Sequence, residues 1–523
     1  MVTAVDAQAT LNDVTRVDTL REESALVLPL IRKLCHILAT ENIVYCHWKS
    51  NDALERSASG DNDLDLLVSR ADGPRFTEFL HRLGFKQAKP PTEKQMPGVL
   101  DYFGHDEETG KLIHVHAHYQ LVLGHDMSKN YRLPIEKQYL ESAVQGDLFK
   151  VPAPEYEFIV FVIRMVLKHL TWDAVLGREG RLKKAERREL AYLQARINQE
   201  RVADILKEHL PYMGVEFFNN CIQALQPACS IGTRVKTGRQ LQSRLQANAR
   251  HPALIDNTSK LWRRAALAVR RRIFRSSSKY RLERGGALIA IVGGDGAGKS
   301  TAVDALCEWL SKNFETTGVH LGKPAWSWTT RAVRGMLKIG NWLGLYPVET
   351  TFRETLSQKS RVSPGYPWLL REVCRARDRY GLYVKARRFA AQGGLVILDR
   401  FPLPQIRLMD GPQAERFISQ LNDGPLAGQW LSPRRASRLA RRLVKLEERY
   451  YHAFASPELV IVLRLDPEIA VQRKTDEEAA YVRERSTEIW ELSWEHTGAH
   501  VVDASKSKAD MLTELKALVW SEL

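Results

Sequence analysis

The run Gly293-Gly294-Asp295-Gly296-Ala297-Gly298-Lys299-Ser300-Thr301 carries the densest chemical information in the sequence. It satisfies the pattern of a glycine, four residues, then Gly-Lys-Ser/Thr, in which the glycines let the backbone fold closely around phosphate groups and aim N–H groups at them. The N-terminus of a following helix adds its dipole. In this pattern Lys299 is the residue that reaches the β- and γ-phosphates of ATP, and Ser300 is the one that holds Mg2+. The local setting agrees. Apolar residues predict a strand over 287–292 and helical spacing predicts a helix over 302–310, so the loop stands where a strand passes into a helix.

A second predicted strand, 394–398, ends in Asp399-Arg400-Phe401-Pro402. That places a carboxylate at the C-terminal edge of a sheet, where open α/β sheets bind ligands. Asp399 can assist the metal or orient an acceptor, and Arg400 can hold an acceptor phosphate; an ordinary strand-end ion pair is the alternative. A third predicted strand, 459–465, leads to Asp466-Pro467-Glu468 and a short helix ending in Arg473. Beyond it lies the polar arginine segment Tyr481-Val482-Arg483-Glu484-Arg485-Ser486.

Taken in order, the GxDGxGKS loop, Arg377-Asp378-Arg379, Asp399-Arg400-Phe401, the block from Pro457 to Arg473, the arginine segment and the closing Val502-Asp503-Ala504-Ser505 resemble the thymidylate kinase family over residues 285–523. The resemblance implies a P-loop parallel-sheet kinase fold that uses ATP and Mg2+ to phosphorylate a nucleoside monophosphate or a related phosphorylated small molecule. Carried over with it, Asp295 contacts the acceptor sugar, Arg400 the acceptor phosphate, and Arg379 lies in the acceptor pocket. Lys299 and Asp399 serve catalysis. The loop has no arginine between Asp295 and Lys299, so the resemblance assigns the transition-state cation to a lid, with Arg473, Arg483 and Arg485 as candidates. The sequence departs from the family at His320-Leu321-Gly322-Lys323-Pro324, where members carry an Arg-Glu-Pro turn, and in the Trp-rich stretch 325–365. An acceptor other than dTMP, such as another nucleotide or a phosphorylated sugar, is therefore expected.

The N-terminal half offers a second constellation. In Gly60-Asp61-Asn62-Asp63-Leu64-Asp65-Leu66-Leu67-Val68, Asp63 and Asp65 enter a predicted strand at alternate positions and face the same way, so that they can chelate one Mg2+. A polar strand entry with an Asx turn at Asp61 and Asn62 reads the same residues without a metal. With its helix and glycine the segment resembles the nucleotidyltransferase superfamily, which implies a bound nucleoside triphosphate and a third carboxylate on a later strand. That strand, 112–118, instead presents His114, His116 and His118, with His114 where the acid is expected. Imidazoles at alternate positions suit Zn2+ or a similar ion, which leaves an altered metal site, a degenerate domain that binds without turnover, and half-buried strand histidines that ligate nothing as the readings. Lys49 can face phosphates in the same pocket, beside Trp48 of Tyr45-Cys46-His47-Trp48-Lys49-Ser50.

These groups must be positioned by a multidomain α/β protein, for 523 residues at 44% hydrophobic content exceed one core. Alternating helical and strand patterns predict a small α/β domain over 1–150, helical spacing a helical extension over 151–255, a basic connector helix over 256–284 and a parallel-sheet domain over 285–523; the resemblances make the first nucleotidyltransferase-like and the last kinase-like. In the connector Trp262, Ala266, Val269 and Ile273 fall at helical spacing among Arg263, Arg264, Arg270, Arg271 and Arg272. A hinge helix between the halves is expected, with peripheral contact to an anionic membrane surface as the alternative. The net charge of +15 favours anionic partners: a nucleotide and a small phosphorylated substrate. No nucleic-acid module is legible, and a homodimer stays open. Without an apolar leader, a membrane-length span or paired cysteines among the six, the expectation is cytoplasmic. The two rival readings are nucleotidyl transfer in the N-terminal domain with the P-loop domain as a nucleotide sensor, and a nucleotide-gated scaffold at a membrane or biosynthetic assembly.

Overall fold

A computed structural model describes residues 27–96, 98–170, 181–272, 279–344, 366–406, 411–414 and 438–523. The chain divides into two compact units, Met1–Glu283 and Arg284–Leu523. In the first, strands β1 (Tyr45–His47), β2 (Leu64–Val68), β3 (Lys86–Lys89), β4 (Val99–His105), β5 (Leu112–His118) and β6 (Arg281–Leu282) form one sheet in the order β1-β2-β5-β4-β3-β6. The β2 and β5 strands are parallel, and the other pairs are antiparallel.

Alternation sorts this sheet into two faces. Leu64, Leu66 and Val68 of β2 join Ile113, Val115 and Ala117 of β5 in a core beneath the helices Pro29–Thr40 and Gly73–Arg82. The intervening positions, Asp65 on β2 and His114, His116 and His118 on β5, are left for the opposite side. The turn Asp106–Lys111 closes the hairpin so that His105 faces Leu112, which sets Asp101 opposite His116.

Among the described residues the helical extension shares a core with the sheet. Helix Pro154–His169 opens on Pro154 at its first turn after extended Ala153, where a fixed φ and a missing N–H cost nothing. It is buried almost all round, and Phe158, Ile159, Phe161 and Val162 share one cluster with Cys46 and Leu67 from the sheet, with Trp48 just after β1, and with Phe218 and Leu241 from later helices. Each such side chain contributes about 1.5–3 kcal/mol on burial.

The connector also belongs to this unit. Its helix runs over Ala253–Arg272, starting earlier than the apolar spacing predicts, and Arg281 and Leu282 then pair with β3. Leu267 is buried while Leu261, Trp262 and Val269 are exposed. Arg263 donates to the Met127 carbonyl at 2.7 Å and Arg264 lies 3.2 Å from His125 Nε2, so arginine rather than tryptophan makes the inward contacts. Ile273 lies outside the described residues.

In the second unit β7 (Ala287–Gly293), β8 (Thr316–His320), β9 (Leu395–Asp399), β10 (Leu459–Arg464) and β11 (His500–Asp503) form an all-parallel sheet ordered β8-β9-β7-β10-β11. The central β7 is buried from Leu288 through Val292, the continuous apolar run of a strand covered on both faces. Its register puts Ile291 beside Asp399 and Gly293 beside Leu463, so the glycine loop and the Asp399 strand end meet at one edge. The arginine segment Tyr481–Ser486 lies inside the helix Ala479–Glu491, a stretch with neither glycine nor proline to interrupt it. Within the Trp-rich stretch, a helix over Trp328–Trp342 starts on Ser327, whose side chain caps Thr330 N; residues 345–365 lie outside the described residues. Among the described residues no helix is long and apolar enough to cross a membrane.

Candidate functional site

The glycine loop connects β7 to the helix Lys299–Ser311. Gly296 and Gly298 take φ of 78° and 83°, values that a side chain would strain. At Gly294 the constraint is spatial: an added Cβ would lie 2.9 Å from Ser486 Oγ and 3.1 Å from its Cα. Lys299, at the first helical position, is buried and donates to the carbonyls of Gly293 at 3.0 Å and Gly294 at 2.7 Å. Its ammonium is thus stored against the loop's own backbone. Ala297 and Asp295 are buried, and Ser300 and Thr301 are exposed at the helix start.

Across the strand-end edge, Ser300 Oγ donates to Asp399 Oδ2 at 3.4 Å, and His320 Nδ1 from β8 sits 3.5 Å from the same oxygen. Asp399 Oδ1 is buried with no hydrogen-bond partner among the described residues. An orphaned carboxylate oxygen beside a serine hydroxyl is a hard donor pair of the kind that suits Mg2+, so the residues fit the ion that the loop motif implies. Arg400 follows with φ of 69°, a conformation that costs a non-glycine residue on the order of 1–2 kcal/mol and is concentrated at functional sites. Its backbone N–H bonds the Ile291 carbonyl at 3.1 Å, fixing the turn to the central strand.

Asp295 collects the cations. Arg485 lies 2.7 Å from its Oδ2, Arg400 3.5 Å from its Oδ1, and Lys299 3.9 Å from Oδ1. A single carboxylate among three cations leaves net positive charge facing the loop, which attracts an anion. The other predicted arginines are placed elsewhere. Arg473 donates to the Ala504 carbonyl at 3.0 Å, and exposed Arg483 holds Glu468 in a two-point contact at 2.7 and 2.9 Å. Arg379 is buried, with Nε on the Leu321 carbonyl at 2.8 Å and Nη1 on the Tyr451 hydroxyl at 2.7 Å. Arg377 and Asp378 brace the start of the Trp328–Trp342 helix through Ser327 and Thr330. Tyr451 lies outside every motif named above, and His320 and Ser486 lie inside named segments without a role of their own; only tertiary contacts mark the three.

The N-terminal cluster lies on the sheet face opposite the β2/β5 core. His114 Nδ1 is 2.9 Å from Asp63 and its Nε2 is 2.8 Å from Asp101, while its ring stacks on Phe103. Burial opposes a charge on His114, but hydrogen bonds to Asp101 and Asp63 outweigh it and hold its pKa up at about 9. Asp65 Oδ1 is approached by Lys49 Nζ at 2.8 Å, His116 Nδ1 at 3.2 Å and His118 Nε2 at 3.7 Å. Burial opposes its ionisation; Lys49 and the two imidazoles nevertheless hold its carboxyl well below the usual range. Burial pushes His118 well below the ordinary histidine value. Asp65 also lines a cavity of about 370 Å3 together with Lys49, Asp63, Lys129, Arg164 and Glu189. Burial, then repulsion from Lys49, lowers Lys129 to about 8.

Strand β5 itself carries no acid; Asp101 of β4, buried and opposite His116, supplies one from the neighbouring strand. The signal was available in the hairpin, since the polar turn Asp106-Glu107-Glu108-Thr109-Gly110 pairs 105 with 112 and so brings 101 across from 116.

No protein-family model matches the chain. Two curated proteins of Escherichia coli K12 are similar to part of it. One carries the name uncharacterized ATP-binding protein YghR and is 29% identical over 234 residues, 44% of this chain and 86% of that protein. The other, uncharacterized ATP-binding protein YghS, is 28% identical over 239 residues, 42% of this chain and 90% of its own length.

Proposed function

We propose that the Arg284–Leu523 unit binds ATP with Mg2+ and transfers the γ-phosphoryl group to a nucleoside monophosphate or a related phosphorylated small molecule. The observation that carries this reading is the meeting of the glycine loop, with Lys299 stored on its carbonyls, and the orphaned Asp399 oxygen beside Ser300 at one edge of a parallel sheet. The ATP-binding names of the two relatives support the nucleotide part of it.

In this reading the N–H groups of residues 294–299 cradle the phosphates, and Lys299 leaves the Gly293 and Gly294 carbonyls for phosphate oxygens. Ser300 and Asp399 hold Mg2+, which when bound neutralises charge on the phosphates. Arg485 and Arg400, both anchored on Asp295, supply cations to the transferred group and to the acceptor phosphate. Catalysis is then positioning and charge stabilisation rather than covalent chemistry. Arg483, tied to Glu468 and exposed, takes no part.

The test is to follow ADP release from ATP and Mg2+ with a panel of nucleoside monophosphates and sugar phosphates. Turnover on one class of acceptor is expected. ATP binding without turnover on any of them would instead favour the nucleotide-gated scaffold.

A further inference from the structure

We propose that Asp65, His116 and His118 form a site for one divalent first-row transition-metal ion, with Zn2+ the best match. The site lies in the Met1–Glu283 unit and stands independently of phosphoryl transfer in the other unit.

Three observations carry it. The first is spacing. One ligand atom from each residue, the Asp65 carboxylate oxygen and one nitrogen from each ring, falls within 4.8 Å of the other two. Tetrahedral Zn2+ with bonds of about 2.0–2.1 Å needs ligand atoms roughly 3.3 Å apart. The Asp65 oxygen stands 3.2 Å from His116 Nδ1 and 3.7 Å from His118 Nε2, so both of its distances lie within about half an ångström of that spacing.

The second is an unmet need. His118 is 1% exposed, and its Nε2 has no hydrogen-bond partner among the described residues. A buried polar atom left this way costs about 1–3 kcal/mol, and a metal bond would satisfy it. Its edge packs against the Trp48 ring at a centroid distance of 4.9 Å, which limits its reorientation toward another partner.

The third is an orienting carboxylate. Metal-bound histidine usually directs its other ring nitrogen at a carboxylate, which fixes the tautomer. His116 Nε2 faces Asp101 Oδ1 at 3.7 Å, and Asp101 is itself held by His114 Nε2 at 2.8 Å and the Tyr280 hydroxyl at 3.3 Å. The same contacts remove His114 and Asp63 from the ligand set, because both His114 nitrogens are already engaged, one by each acid. Two imidazoles and one carboxylate select a transition ion over Mg2+, which demands oxygen ligands.

Lys49 supplies a ready-made competitor. Its ammonium sits 2.8 Å from Asp65 Oδ1, where a cation is wanted, and its side chain borders the 370 Å3 cavity into which it can withdraw.

The experiment uses the untagged full-length chain, stripped with a chelator and titrated with Zn2+ in millimolar Mg2+, with elemental analysis after dialysis and Co2+ absorption as a geometric probe. One tightly held Zn2+ per chain is expected. His118→Gln and His116→Gln should each weaken binding roughly tenfold or more, whereas Asp63→Asn stays within about twofold of wild type. Lys49→Met should bind more tightly. No uptake by wild type, equal uptake by folded His118→Gln, or displacement by Mg2+ would overturn the proposal. If the histidine variants do not fold, as read by circular dichroism, Lys49→Met decides: unchanged Zn2+ affinity counts against the site.

Discussion

The two units assemble their charged clusters by different means. In Arg284–Leu523 the cluster is built from chain ends of β7 and β9 and a glycine loop, and its cations rest on backbone carbonyls and on one aspartate, Asp295. In Met1–Glu283 it is built from the middle of a sheet face, where Asp65, His116 and Asp101 are neighbours only because β2, β5 and β4 pair in one register. The first arrangement gathers its groups at the end of a sheet, on backbone carbonyls and one carboxylate. The second holds them in mutual contact, and a one-residue slip of β4 would turn Asp101 away and bring an apolar neighbour to the face.

Substitutions can break or sharpen this contrast. The largest effect is expected for Lys299→Ala, which removes a charge from the loop without touching a core. Phosphoryl transfer, measured as acceptor-dependent ADP release, should fall by at least about a hundredfold, on the order of 3 kcal/mol, with metal uptake by the other unit unchanged. Near wild-type turnover would sink the kinase reading. Next is Arg485→Ala, expected to lower kcat by roughly one to two orders of magnitude with a smaller change in KM for ATP, as for an interaction made in the transition state. Arg483→Ala should change either constant by less than about twofold, because its guanidinium is exposed and spent on Glu468. Equal effects at both positions would show that the Asp295 contact does not distinguish them.

Of a size with Arg485→Ala, but acting on ATP binding, is Gly294→Ala. The new Cβ must displace Ser486, whose backbone is also close, at a cost of about 1–3 kcal/mol. Calorimetry should register this as weaker ATP binding with little change in melting temperature in the N-terminal unit.

The smallest effect is one of stability. Burial, reinforced by Glu189 and opposed by hydrogen bonds from Asn51, lifts Glu157 to about 8. A carboxyl whose folded pKa exceeds its unfolded one is neutral in the fold, so its contribution is complete below pH ~4 and is lost as pH rises through about 8. The N-terminal unit should therefore melt lower at pH 8 than at pH 5. Glu157→Gln should flatten that slope and gain on the order of 1 kcal/mol at pH 8, read by thermal melts across pH. An unchanged slope would mean that Glu157 is not the group responsible.

By itself the sequence determined the glycine loop, its strand and helix, and the neighbouring Asp399 strand end, because consecutive residues set backbone conformation and apolar runs reveal a covered parallel sheet. It also placed Asp65 and the three histidines on strands through alternation. It did not determine which arginine meets Asp295. Arg483 and Arg485 are two residues apart, and the helix over Ala479–Glu491 turns one toward the loop and the other to solvent, a choice that packing makes. Nor could local pattern reveal that the helical extension and the sheet share a core, or that β6, far along the chain, closes the N-terminal sheet. Asp101 is the clearest case. Its type and its strand are local facts, but its place beside His116 exists only after the hairpin has fixed register, since cross-strand contact is a property of pairing and not of any segment alone.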